Sequence, residues 1–91
     1  MRSIVFHRRA ASYLSRMPLD RSAKVRDALV EVAALNNITS HQGIKQMSGG
    51  MTGWFRLRIG SYRAILQVTI TEAGELLYVD AIGPRGDIYK G

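Results

Sequence analysis

Between residues 54 and 68 the chain alternates apolar with polar or basic positions, reading Trp-Phe-Arg-Leu-Arg-Ile-Gly-Ser-Tyr-Arg-Ala-Ile-Leu-Gln-Val. A period of two predicts two strands, with Gly60-Ser61 as the two-residue turn between them. Glycine at the first turn position signals a type II′ hairpin, because only glycine accepts a positive φ there at little cost. The turn sets the register: Ile59 opposite Tyr62, Arg58 opposite Arg63, Leu57 opposite Ala64, and Arg56 opposite Ile65. Side chains alternate across a sheet, so Phe55, Leu57, Ile59, Tyr62, Ala64, Leu66 and Val68 share an apolar face. Arg56, Arg58 and Arg63 project from the other face, together with Trp54.

The remaining pattern supplies a frame for this hairpin. Residues 3–6 read as a short first strand. Over residues 8–17, Ala10, Tyr13, Leu14 and Met17 recur at the helical spacing, and Pro18 ends that helix. Asp20 is the expected N-cap of a second helix, with a stripe of Val25, Ala28, Leu29, Val32 and Leu35 closed by Asn36-Asn37. Residues 38–53 read as a polar, glycine-containing loop. A turn at Glu72-Ala73-Gly74 leads to a last strand over 75–82, stopped by Gly83-Pro84 and followed by a short tail. The expected fold is α+β in the order β-α-α-β-β-β, an antiparallel sheet with a helical hairpin packed on one face. One domain over residues 1–91 is expected at this length, burying about two-thirds of its unfolded surface.

Charge changes the picture. Thirteen Lys and Arg against seven Asp and Glu give a formal charge of +6, and ten of the thirteen are Arg. Between Glu31 and Glu72 there is no acidic residue, while Lys45, Arg56, Arg58 and Arg63 all fall in that gap. Like charges directly opposite on a sheet destabilise it, by roughly 0.2–1 kcal/mol as a typical pair magnitude. The Arg58–Arg63 pairing therefore has no use in folding, and it points to an anionic partner with phosphate chemistry. The chain has no cysteine, which excludes a disulfide scaffold and a cysteine nucleophile. Its apolar runs are too short for a membrane span, and Arg8-Arg9 follow the first strand where a signal peptide needs an apolar core. A cytoplasmic protein is expected.

Other polar residues have plain structural explanations. His7 and His41 have no neighbour at metal-ligand spacing, and no carboxylate cluster suits Mg²⁺, so neither metal nor cofactor is expected. Asp20, Asp27 and Glu31 suit a cap and a solvated helix face, and Tyr13, Tyr62 and Tyr78 suit a core. Trp54 stands on the arginine face, where packing is the ordinary role and stacking on a base the functional one. Arg85 and Tyr89 lie just past the last strand, with Lys90 beside them. Cations without a metal suit attack of an RNA 2′-hydroxyl on the adjacent phosphate, guanidinium groups stabilising the charge that develops.

Three segments carry a family resemblance: 55–63 (Phe-Arg-Leu-Arg-Ile-Gly-Ser-Tyr-Arg), 43–47 (Gly-Ile-Lys-Gln-Met) and 82–89 (Ile-Gly-Pro-Arg-Gly-Asp-Ile-Tyr). With the opening 6–14, they resemble the RelE-like branch of the RelE/ParE toxin superfamily of toxin–antitoxin systems. The resemblance implies the toxin of a type II pair, with a cognate antitoxin, that cuts mRNA in the ribosomal A site. It implies catalytic roles for Arg58, Arg63, Arg85 and Tyr89, and RNA contacts from Lys45, Arg56 and Lys90. It also admits a ParE-like poison of DNA gyrase, or an inactive relative that binds only antitoxin. This sequence departs from the pattern where Arg56 and Arg58 replace lysines of the best-known form, and arginine is a poor general base. The spacing from Arg85 to Tyr89 is also shorter than in the family.

Overall fold

The computed structural model describes residues 1–51 and 53–84. Its elements are β1 (Ser3–Phe6), α1 (Arg8–Arg16), α2 (Leu19–Ala34), β2 (Ile44–Gln46), β3 (Phe55–Ile59), β4 (Tyr62–Thr71) and β5 (Gly74–Pro84). The strands form one five-stranded sheet in the order β1-β5-β4-β3-β2. Every neighbouring pair is antiparallel except β1, which runs parallel to β5. The chain leaves the sheet after β1, lays two helices over one face, and re-enters at the far edge through β2. From there it meanders back to β5, beside its starting point.

The 3.6-residue stripes put the helices where they are. Ala10, Leu14 and Met17 from the first helix and Val25, Leu29, Val32 and Ala33 from the second are buried against Leu57, Ala64, Leu66, Leu77, Val79 and Ile82. Each large apolar side chain so buried contributes roughly 1.5–3 kcal/mol. Tyr13 and Tyr62 meet edge to face at 6.4 Å on this side, as core tyrosines do. His7 caps α1, its Nδ1 accepting from the Arg9 amide at 3.1 Å.

Several boundaries differ from the sequence expectation. Pro18, not Asp20, stands at the N-cap of α2, its carbonyl accepting from the Arg21 and Ser22 amides at 3.0 and 2.9 Å. Asp20 instead sits in the first turn, where a negative charge favours the helix dipole. The helix ends at Ala34, so Asn36-Asn37 lie beyond it, and the Asn37 side chain caps a short 3-10 turn over Ile38–Ser40. The region expected to be loop holds β2, which is three residues long and too short to show a period. Glu72-Ala73 is a two-residue turn, and β5 extends past its expected ends to pair Gly83 with Arg63 and Pro84 with Tyr62. Proline is tolerated there because a strand terminus needs no donor from it.

The hairpin itself forms as expected. Gly60 has φ +58 while Ser61 has no positive φ, which is the type II′ arrangement. Between β4 and β5 the register slips once: Ile65 faces Ala81 while Leu66 faces Val79, leaving Asp80 as the extra residue of a bulge. The bulge lets both Val79 and Ile82, three apart, point into the core. Among the described residues no helix is long and apolar enough to cross a membrane.

Candidate nucleic-acid interface

The face of the sheet away from the helices is organised in rows across the strands. In the first row Arg58 on β3 is the direct partner of Arg63 on β4, which in turn faces Gly83 on β5. In the second, Lys45 on β2 faces Arg56, then come Ile65 and Ala81. The third row carries Gln67, Tyr78 and Val5. Trp54, one residue before β3, reaches over to Tyr78, with ring centroids 6.5 Å apart at 62°. Rows are about 6.8 Å apart, two residues at ~3.4 Å each.

Two like-charge pairs therefore lie side by side. The Arg58–Arg63 pair follows from the hairpin, whereas Lys45–Arg56 exists only because β2 adds to the sheet edge. Gly43 permits that addition: its carbonyl accepts from the Arg58 amide at 2.9 Å. A Cβ placed on it would stand 3.0 Å from the Arg58 carbonyl oxygen. Lys45, Gln46, Met47, Ser48 and Arg56 line a shallow depression of about 240 Å³. Arg56 Nε is buried there without a hydrogen-bond partner. An unpaired buried donor of this kind ordinarily costs about 1–3 kcal/mol, which an arriving acceptor would recover.

Three acids meet basic groups outside these rows. Arg2 pairs with Glu75 at 2.8 Å, Arg9 with Asp80 at 2.6 Å, and His41 approaches Glu31 at 3.6 Å. Arg21 donates to the Tyr62 hydroxyl at 3.2 Å, and that bond holds its pKa above the ordinary guanidinium value. His7 and His41 both spend Nδ1 on local amides, of Arg9 and Gly43. Among the described residues no three His, Cys, Asp or Glu side chains converge on a point that could hold a metal ion.

Of the residues expected to act, Lys45, Arg56, Arg58 and Arg63 share this face. Arg85, Tyr89 and Lys90 lie outside the described residues. Tyr78 is a correction, since it stands on the open face beside Trp54 and not in the core. The signal was present: Leu77 and Val79, its apolar neighbours, take the core positions, so a period of two sends Tyr78 to the other side.

No family model and no curated protein sequence matches the chain. Solved structures do. The YoeB/ParE toxin from Agrobacterium tumefaciens superposes with a TM-score of 0.76 at 16% identity, covering 91% of this chain and 98% of that one. A chain of the intact E. coli RelBE toxin–antitoxin complex gives 0.70 at 19% identity, covering 92% and 96%. A chain of the RelB–RelE antitoxin–toxin complex from Methanococcus jannaschii gives 0.68 at 18%, covering 93% and 94%. At such identities the likeness is one of fold. This chain has the fold of the RelE/ParE toxin superfamily, two helices on one face of a five-stranded, mostly antiparallel sheet.

Proposed function

We propose that the chain is the toxin of a type II toxin–antitoxin pair and cuts mRNA at the ribosome without a metal ion. One observation carries the reading: two adjacent like-charge pairs, Lys45–Arg56 and Arg58–Arg63, on a sheet face left open by the helices. Such pairs work against folding and become favourable once phosphates lie between them. The fold supports the antitoxin partner, since two of the structures it resembles are toxin–antitoxin complexes.

In the reaction the RNA 2′-oxygen attacks the adjacent phosphorus, and the bond to the 5′-oxygen breaks. The products are a 2′,3′-cyclic phosphate and a 5′-hydroxyl. Arg58 and Arg63 hold the non-bridging oxygens as negative charge builds on them, while Arg56 and Lys45 grip the neighbouring phosphate. The 2′-hydroxyl proton needs another acceptor, because arginine does not deprotonate. Hydroxide from solvent or the Tyr89 phenolate takes it. By the resemblance, Arg85 adds charge and Tyr89 orients or protonates a reacting oxygen.

Brief induction in bacteria, followed by mapping of RNA 5′ ends beside a DNA supercoiling assay, tests this reading. New ends within translated frames are expected. Intact transcripts with gyrase-dependent DNA breaks would replace it by a gyrase poison. Neither effect, with antitoxin still bound, would leave an inactive relative.

A further inference from the structure

Immediately beyond the cations the same face changes character. Trp54, Gln67 and Tyr78 stand one row past Lys45–Arg56, and two rows past Arg58–Arg63. None of the three makes a side-chain hydrogen bond among the described residues, so an indole N–H, an amide and a phenol are all unspent. All three are half-buried: their bodies are held by the sheet and part of each side chain reaches solvent. Tyr78 meets Trp54 at 62°, an edge contact that steadies the indole and leaves the two rings unstacked. The helices give no reason for this grouping, because they pack on the opposite side.

We infer that Trp54, Gln67 and Tyr78 form a base-reading row, in which the indole face stacks a nucleobase of a single strand whose phosphates run along the arginine and lysine rows. The inference rests on the RNA reading of the face. Single-stranded recognition requires two chemistries side by side, cations for the backbone and aromatic faces for unstacked bases. Here they are about 6.8 Å apart, so the stacked base belongs to a nucleotide next to the phosphates that the cations hold. Stacking alone accepts any base and favours the larger purines. Gln67, on the strand between the two aromatic residues, offers an amide donor and acceptor to the base edge. The row thus sets sequence preference at a flanking nucleotide and takes no part in bond breaking.

Trp54 is the sole tryptophan of the chain, so indole emission reports on this row alone. The full-length protein is titrated with an oligoribonucleotide blocked at its 2′-hydroxyls, and with an abasic oligomer of equal length and charge. Both are expected to bind with the same salt dependence. Only the base-bearing strand quenches emission, and it binds about tenfold more tightly. Trp54→Leu loses that advantage while keeping its affinity for the abasic strand, and Trp54→Phe keeps part of it. Equal binding of the two strands with unchanged emission overturns the inference. If RNA is bound and cut but Trp54→Leu shows the same base preference as the parent, the inference alone falls. If neither strand binds, the RNA reading falls with it. The titration of the parent protein decides the matter even if Trp54→Leu does not fold.

Discussion

Individual side chains on the open face are expected to separate stability from activity. Arg58 is exposed and opposes Arg63, so its truncation removes repulsion and no packing. Arg58→Ala should leave the melting temperature unchanged or slightly raised, a gain of ~0.2–1 kcal/mol, while slowing RNA cleavage on the order of 100- to 1000-fold. A parallel loss of both would make Arg58 a structural residue. Arg56 presents the complementary case, with a buried Nε that has no partner. Arg56→Met keeps the stem and removes the orphaned donor, so urea unfolding should show a stabilisation on the order of 1 kcal/mol, with weaker RNA binding. The three rows of this face carry neither carboxylate nor imidazole, and the carboxylate of the bulge residue Asp80 is paired with Arg9 at 2.6 Å. The cleavage rate should therefore rise with pH through the neutral range, without a bell centred near 7, in a single-turnover profile.

At the level of elements, the edge strand β2 is the piece on which the second cation pair depends. Three residues give it little intrinsic stability, and its position comes from contacts with β3. Gly43 sets how closely the two approach, since any Cβ there presses on the Arg58 carbonyl oxygen at 3.0 Å. Gly43→Ala should push β2 outward, raise the exchange rate of the Arg58 amide that bonds to the Gly43 carbonyl, and weaken RNA binding without removing a charge. Unchanged exchange at that amide would show that β2 accommodates the methyl. The β3–β4 hairpin is the opposite kind of element. A two-residue turn with Gly60 at φ +58 holds it from within, so the Arg58–Arg63 pair is independent of β2.

For the molecule as a whole, the distribution of charge matters more than its sum. Glu31, Glu75 and Asp80 each meet a basic side chain outside the arginine and lysine rows. Binding of a single strand by Lys45, Arg56, Arg58 and Arg63 releases about 0.7 counterions per phosphate contacted. A plot of log affinity against log salt should therefore fall with a slope of about −3. Lys45→Ala should make it shallower by about 0.7, and a slope near zero would remove the face from nucleic-acid binding altogether.

What the sequence determined by itself was local. Period-two alternation and a glycine turn, all within fifteen consecutive residues, set the hairpin register and the facing arginines, because no distant contact is needed to align strands joined by two residues. The helical stripes were legible for the same reason: one face of Val25, Leu29 and Val32 identifies itself within a few turns. The tertiary structure decided what distant partners impose. β1 pairs in parallel with a strand more than seventy residues away. β2 is a strand only because Leu57 and its neighbours meet it, and that meeting sets Lys45 against Arg56. The bulge at Asp80 turns Ile82 inward, and the sheet brings Trp54 across Gln67 to Tyr78. Hydrogen-bond partners along a strand are set by pairing energy summed over both chains of a ladder, and a three-residue strand holds too little of that sum to announce itself alone.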